Sequence, residues 1–159
     1  MAASDKSDSV ERVRAALLQA GHADTIAMFP DGTRTAQDAA NAVGCTVAQI
    51  VKSIVLRAGE RPLLVFTSGA NRVDVKKISA SVGEQVAPAD GRCVRDNPGF
   101  AIGGVAPVGH ASSMRVFIDA DLVALDPVWA AAGSRRHVFR TRGRELERLT
   151  GGEIADVKE

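Results

Sequence analysis

One stretch constrains this chain more than any other. Ile50-Val-Lys-Ser-Ile-Val-Leu is β-branched and almost continuously apolar, and after Gly59-Glu-Arg-Pro a second apolar run follows, Leu63-Leu-Val-Phe-Thr. Runs of this kind read as central strands covered on both faces. The short connection makes an antiparallel hairpin their simplest pairing. Everything else in the chain then has to cover that hairpin. At 159 residues there is length for one domain with a real core, and a two-domain enzyme is not expected.

The flanking segments supply the cover. Residues 1–7 are polar and read as a frayed, disordered tail, which leaves 8–159 as the domain. Asp8 with Glu11 reads as a capping box, ahead of a stripe of Val10, Val13, Leu17 and Ala20 that Gly21 ends. Phe29-Pro-Asp-Gly-Thr reads as a turn, Thr35 with Asp38 opens a short helix closed by Gly44, and Thr46 with Gln49 marks another helical turn. Val75, Ile78 and Val82 have helical spacing and should pack on the sheet. At Phe100 a strand is expected to give way to a glycine-rich loop. Arg115–Asp119 reads as a strand, Val128–Ala132 and Arg136–Arg140 as a hairpin turning at Gly133-Ser134, Arg144–Leu149 as a helix, and Ile154–Val157 as a terminal strand. The predicted fold class is α+β: a single domain with a mixed, largely antiparallel sheet and surrounding helices.

Composition excludes several functions. With 20 basic against 19 acidic side chains, bulk charge does not drive the chain onto a polyanion, so any nucleic-acid contact must be local. Aromatics are 4% with no Tyr, too little for a base-stacking platform. Cys45 and Cys93 form no C-x-x-C pair, which argues against a zinc knuckle or a disulfide scaffold and fits a reducing cytoplasm. No apolar run approaches the ~20 residues of a membrane span, and no signal-peptide h-region opens the chain. No heptad seam demands an oligomer, so a monomer is the default expectation.

Three features carry potential chemistry. Lys52 lies among Ile50, Val51, Ile54 and Val55; it either occupies the solvated face of a half-buried strand or points its ammonium into a cleft to meet an anion such as a phosphate. Gly103-Gly104-Val105-Ala106-Pro107-Val108-Gly109-His110 is either a tight turn or a cradle whose amides aim at a carbonyl or phosphate oxygen. It has neither the GK[ST] ending of a P-loop nor a G-x-G-x-x-G register. His110 is a capping histidine or a proton shuttle, while His22 and His137 sit where structural roles dominate. Finally, Arg135, Arg136, Arg140, Arg142 and Arg144 either form a phosphate-reading patch or simply charge a strand edge.

In this order, Val51-Lys52-Ser53-Ile54-Val55-Leu56, the 103–110 loop, Val116-Phe-Ile-Asp119-Ala-Asp-Leu122 and Ala131-Ala-Gly133-Ser134 resemble the YbaK/ProX family of aminoacyl-tRNA deacylases, trans-acting relatives of the bacterial prolyl-tRNA synthetase editing domain. The resemblance spans nearly the whole chain. Lys52 matches the family's lysine, Gly103, Gly104 and Pro107 its glycine-proline loop, and Gly133 the later glycine of its cleft; His110 is carried over with them.

That resemblance implies hydrolysis of mischarged tRNA, most often tRNA for proline bearing a small amino acid such as alanine or cysteine, with no metal and no cofactor. It implies catalytic roles for Lys52, Gly103, Gly104 and His110, and substrate contacts from Ser53, Pro107, Gly109 and Gly133. Arg135, Arg136 and Arg140 would touch the tRNA acceptor end, and prolyl-tRNA synthetase is a candidate partner. An aminoacyl ester is already activated, so positioning supplies much of the catalysis. Lys52 is expected to face the 103–109 loop across one shared cleft, anchoring the phosphate or sugar of the terminal adenosine while loop amides hold the ester carbonyl for attack by water, with the adenosine's vicinal hydroxyl assisting; a Lys52 amine on the outside of the molecule and remote from the loop would count against editing. Two other readings remain: a non-catalytic module binding tRNA ends or a synthetase through Arg135–Arg144, and a hydrolase of small nucleotide esters.

Overall fold

The computed structural model describes residues 2–29, 32–96, 98–101 and 103–159, side chains of residues 2–7 aside. Pro30 and Asp31 of the expected turn, and Asn97 and Ile102, lie outside the described residues. The elements run α1 (Ala2–Gln19), β1 (Ile26–Met28), α2 (Ala36–Val43), a short 3₁₀ turn (Val47–Gln49), β2 (Val51–Ala58), β3 (Arg61–Ser68), α3 (Val75–Val82), β4 (Val86–Pro88), α4 (Gly91–Asp96), β5 (Arg115–Asp119), α5 (Ala120–Val123), β6 (Val128–Ser134), β7 (His137–Thr141), α6 (Glu145–Thr150) and β8 (Glu153–Ala155). Among the described residues no helix is long and apolar enough to cross a membrane.

The central hairpin forms as expected, with β2 and β3 antiparallel in unbroken register from Val51↔Ser68 to Ala58↔Arg61. Around it the strands order β4-β2-β3-β5-β8, with β5 parallel to both β3 and β8. The expected single sheet is in fact two. β1, β7 and β6 make a separate three-stranded antiparallel sheet, joined to the larger one, among the described residues, through the bridge Ile50↔Trp129.

Strand alternation divides the core. Val51, Val55, Leu64, Phe66, Val116 and Ile118 leave one face and pack on Val13 and Leu17 of α1 and on Val128, Ala130 and Phe139 of the small sheet. Leu56, Leu63, Val65 and Phe117 leave the other face and meet Ile78 of α3, Val86 and Val157. Both faces are covered, which is why most of the hairpin is apolar on both sides rather than alternating.

Local signals hold where capping is strong. Thr35 and Asp38 form the capping box of α2, and Gly44 closes it through its amide to the Ala40 carbonyl. Asp8 and Glu11 do not begin α1, whose backbone is already helical from Ala2. Glu11 instead pairs with Arg14 across one turn. No strand forms at Phe100: the segment from Gly99 to Met114 contains no regular element among its described residues. The hairpin of β6 and β7 turns at Arg135-Arg136, two residues later than expected, and its register shifts between Ala131 and Ser134.

Candidate functional site

The late turn is explained by how closely two backbones meet. Gly133 has φ +100 and bulges β6, and a Cβ there would lie 2.8 Å from the Ser9 carbonyl of α1. Its amide donates to the Gly104 carbonyl at 3.1 Å. A Cβ on Gly104 would in turn lie 2.8 Å from Ser134 Cα. The two glycines are therefore paired main chain against main chain, a contact only glycine permits.

This pairing fixes the 103–110 segment against the sheet. Ser53 Oγ donates to the Val105 carbonyl at 2.8 Å, Gly104 N–H to the Ala101 carbonyl at 2.9 Å, and Arg135 packs its side chain over Gly103. Val105 and Ala106 are buried, yet their amides, and that of Gly103, donate to none of the described residues.

Ser134 and His137 complete this group. Ser134 Oγ lies 2.6 Å from His137 Nδ1 and accepts the Arg136 amide at 3.0 Å. Burial first, then the charges of Arg14 and Arg136, lower the His137 pKa, favouring a neutral ring. Sequence reasoning set His137 aside as a hairpin residue. The signal that could have found it is Ser134 three positions earlier, which the turn brings opposite.

Lys52 does not face the loop as expected. It and Ser53 are successive residues of a regular strand, so their side chains leave opposite faces. Ser53 takes the loop side, and Lys52 Nζ donates to the Asn71 carbonyl at 2.5 Å. Burial and then Arg72 lower the Lys52 pKa, while Asp119 opposes them. Asp119 is 1% exposed; its carboxylate accepts from Thr67 Oγ1, Ser68 N–H, Asn71 Nδ2 and Asp121 N–H at 2.8–3.0 Å. This buried carboxylate fixes Asn71, which in turn holds Lys52 beside a second cation, Arg72.

The remaining residues named from the sequence lie elsewhere. Pro107, Gly109 and His110 border a cavity of about 340 Å³ with Ala16, Gln19 and Leu149. His110 Nε2 donates to the Ala106 carbonyl at 2.6 Å, and Arg12 of α1 donates to the carbonyls of Gly109 and Gly99, both at 2.7 Å, with its guanidinium 4.7 Å from the Phe100 ring centre. His110 thus braces the loop. Arg135 and Arg136 occupy the turn beside Gly103, whereas Arg140 lines a different cavity at the far end of β7.

Comparison with known proteins places these features in context. The model of the aminoacyl-tRNA editing domain family matches residues 30–149. The chain belongs to this family. It is 43% identical, with a TM-score of 0.90, to a crystal structure reported as a proposed trans-editing enzyme for prolyl tRNA synthetase, over 95% of this chain and 97% of that one. It is 42% identical, again with a TM-score of 0.90, to a chain from work on epitope backbone grafting onto scaffold proteins, over 95% and 97%. Among curated proteins it is 26% identical to the uncharacterized protein YwhH of Bacillus subtilis strain 168, over 92% of this chain and 94% of that one. The YbaK/ProX resemblance and the α+β editing-domain fold are borne out.

Proposed function

We propose that this editing-domain protein hydrolyses the ester of mischarged aminoacyl-tRNA, and specifically of tRNA for proline carrying a small non-cognate amino acid such as alanine or cysteine. Family membership supports deacylation in general, and the 43% identical neighbour supports the link to prolyl-tRNA synthetase. One observation supports the mechanism: the glycine loop is pressed main chain to main chain against Gly133, with the Gly133 N–H on the Gly104 carbonyl and Ser53 Oγ on the Val105 carbonyl, which holds the loop amides in fixed directions. Amides fixed in advance where negative charge develops are the core of acyl-transfer catalysis.

In this mechanism the ester carbonyl rests on those amides. Water attacks the carbonyl carbon and gives up a proton to solvent, the charge moves onto the oxygen they hold, and collapse breaks the bond to the ribose oxygen, which leaves with a proton from solvent, delivered directly or relayed through the vicinal hydroxyl. Lys52 serves as an electrostatic anchor with Arg72, because two adjacent cations gain from an anion such as the terminal phosphate. It works from around the strand end and not from across the loop. Discrimination among small side chains is a matter of size, worth ~1–3 kcal/mol per methylene. The protein acts in the cytoplasm as a monomer, on the tRNA acceptor end.

Incubation with tRNA for proline charged separately with proline, alanine and cysteine tests this reading. Release of alanine or cysteine faster than proline is expected, and Lys52→Ala should slow it by ~10²-fold while remaining folded. Binding of every charged tRNA without ester release would make the protein a non-catalytic module and overturn the proposal.

A further inference from the structure

The arginines read from the sequence as one patch are divided by the fold. The geometry points to a second site, for an internucleotide phosphate of the RNA acceptor arm, in the cavity enclosed by the end of β7, α6 and the loop after α1. The inference rests on the proposed tRNA function and adds to it a contact away from the ester.

The cavity measures about 450 Å³ and is lined by His22, Thr25, Asp126, Arg140, Arg142 and Arg148, among others. Its charges differ in how far they are already engaged. Arg148 is committed, with Nε donating to Glu145 at 2.6 Å and Nη1 to the Ala20 carbonyl at 2.6 Å. Arg142 is held loosely, 3.6 Å from Asp126, with both side chains more than half exposed. The Arg140 guanidinium makes no hydrogen bond or ion pair with a described residue. Its main chain, by contrast, is clamped: Thr25 Oγ1 donates to the Arg140 carbonyl at 2.6 Å and accepts the Arg140 amide at 3.1 Å.

Three guanidiniums against the carboxylates of Asp126 and Glu145 leave the cavity cationic, with the excess on a side chain whose backbone cannot drift. His22 adds a fixed polar wall, one ring nitrogen at the Ala23 carbonyl and the other at Thr141 Oγ1, 2.6 and 2.9 Å away. A planar guanidinium on a pinned strand suits a phosphate, which it can grip with two parallel N–H groups. At ~3.3 Å per residue, Arg140 lies on the order of 13 Å along β7 from Arg136 in the turn. The cavity shares no lining residue with the 103–110 loop, so a phosphate held there belongs to a different nucleotide from the one carrying the ester. Contact there adds affinity for RNA without reading its bases.

The test uses Arg140→Gln in the full chain, with an uncharged RNA hairpin carrying an acceptor stem and single-stranded 3′ end as probe. Binding is followed by fluorescence anisotropy across about 50–200 mM salt. The variant should bind several-fold more weakly, and the slope of log K against log salt should fall by about one. Arg61→Gln, at the β2–β3 turn, should keep the wild-type slope, and a 3′-terminal trinucleotide should treat wild type and Arg140→Gln alike. An unchanged slope for Arg140→Gln, an equal loss in Arg61→Gln, an equal loss with the trinucleotide, or no binding of the hairpin by wild type would each overturn the inference. No ester is cleaved in this assay, so a failure of deacylation is read separately and bears on the proposed function alone.

Discussion

Replacing Gly104 with alanine tests whether the site depends on one backbone touching another. Gly104 needs no left-handed φ, so alanine can adopt its conformation, and the obstacle is purely one of space. The new Cβ would lie 2.8 Å from Ser134 Cα, 2.9 Å from Ser134 N and 3.0 Å from Gly133 C. All three are main-chain atoms of a bulged strand and cannot swing aside as a side-chain tip would. Loop and strand must part by about half an ångström or more, stretching the Gly133 N–H to Gly104 carbonyl bond. Overpacking of this kind costs ~1–3 kcal/mol of stability. Misplacing reacting groups by about 1 Å costs on the order of 10²-fold in rate, so a loss of ~10- to 10²-fold in kcat/KM is expected. The assay is initial-rate release of alanine from mischarged tRNA, run beside urea unfolding. Gly44→Ala is the control: φ there is +76 and a Cβ meets nothing within 4 Å, so ~1 kcal/mol of backbone strain is added far from the loop, with no change in rate. A folded Gly104→Ala protein that works at the wild-type rate, or equal rate losses in the two variants, would refute the reasoning.

Two further outcomes follow from the loop's bracing. His110 has its pKa lowered by burial, countered by its bond to Ala106 and lowered again by Arg12, so the unfolded chain takes up the proton at higher pH than the folded one. Stability is therefore full above the ordinary value of 6.5 and falls as pH drops through and below it; His137 has the same sign. The thermal midpoint of His110→Gln should fall less steeply between about pH 7.5 and 5 than that of wild type, and parallel curves would rule the assignment out. Arg12→Ala removes two charged donors and a ring contact, discounted for an exposed side chain, and should cost ~1–2 kcal/mol in urea unfolding; a change below ~0.5 kcal/mol would mean that α1 does not hold the loop.

What was legible in the sequence was what local rules decide. The β2–β3 hairpin, the Thr35 capping box and the α3 stripe each follow from spacing within a few residues. The division into two sheets was not legible, because it depends on β1, three residues long, pairing with β7 more than a hundred positions away. Gly133 was expected at the turn; it instead serves close approach to α1 and Gly104, and the turn falls on Arg135 and Arg136. The face of Lys52 was legible and overlooked, since period-two alternation sends Lys52 and Ser53 to opposite sides in any regular strand. Asp119 was missed because its partner Asn71 meets it only in the fold, whereas His137 had a local signal in Ser134, three positions earlier, that was overlooked.

A segment without regular structure usually divides its donors and acceptors evenly between protein and solvent. The stretch from Pro98 to Gly109 does not. Its carbonyls at Pro98, Gly99, Ala101, Gly104, Val105, Ala106 and Gly109 accept from Ala111, Arg12, Gly104, Gly133, Ser53, His110 and Arg12 in turn. Seven of its described amides, at Phe100, Ala101, Gly103, Val105, Ala106, Val108 and Gly109, donate to no described residue. With the negative ends of its peptide dipoles engaged and positive ends left over, the loop presents a net positive potential although it contains no lysine or arginine. That is the electrostatic requirement for stabilising an oxyanion, and it arises from residues that need never touch the substrate. On the proposed mechanism Arg12, Ser53 and His110 would be positioning residues, each fixing an acceptor so that a neighbouring donor stays available. The glycines let the loop come close enough to be held, and that holding makes it chemically asymmetric.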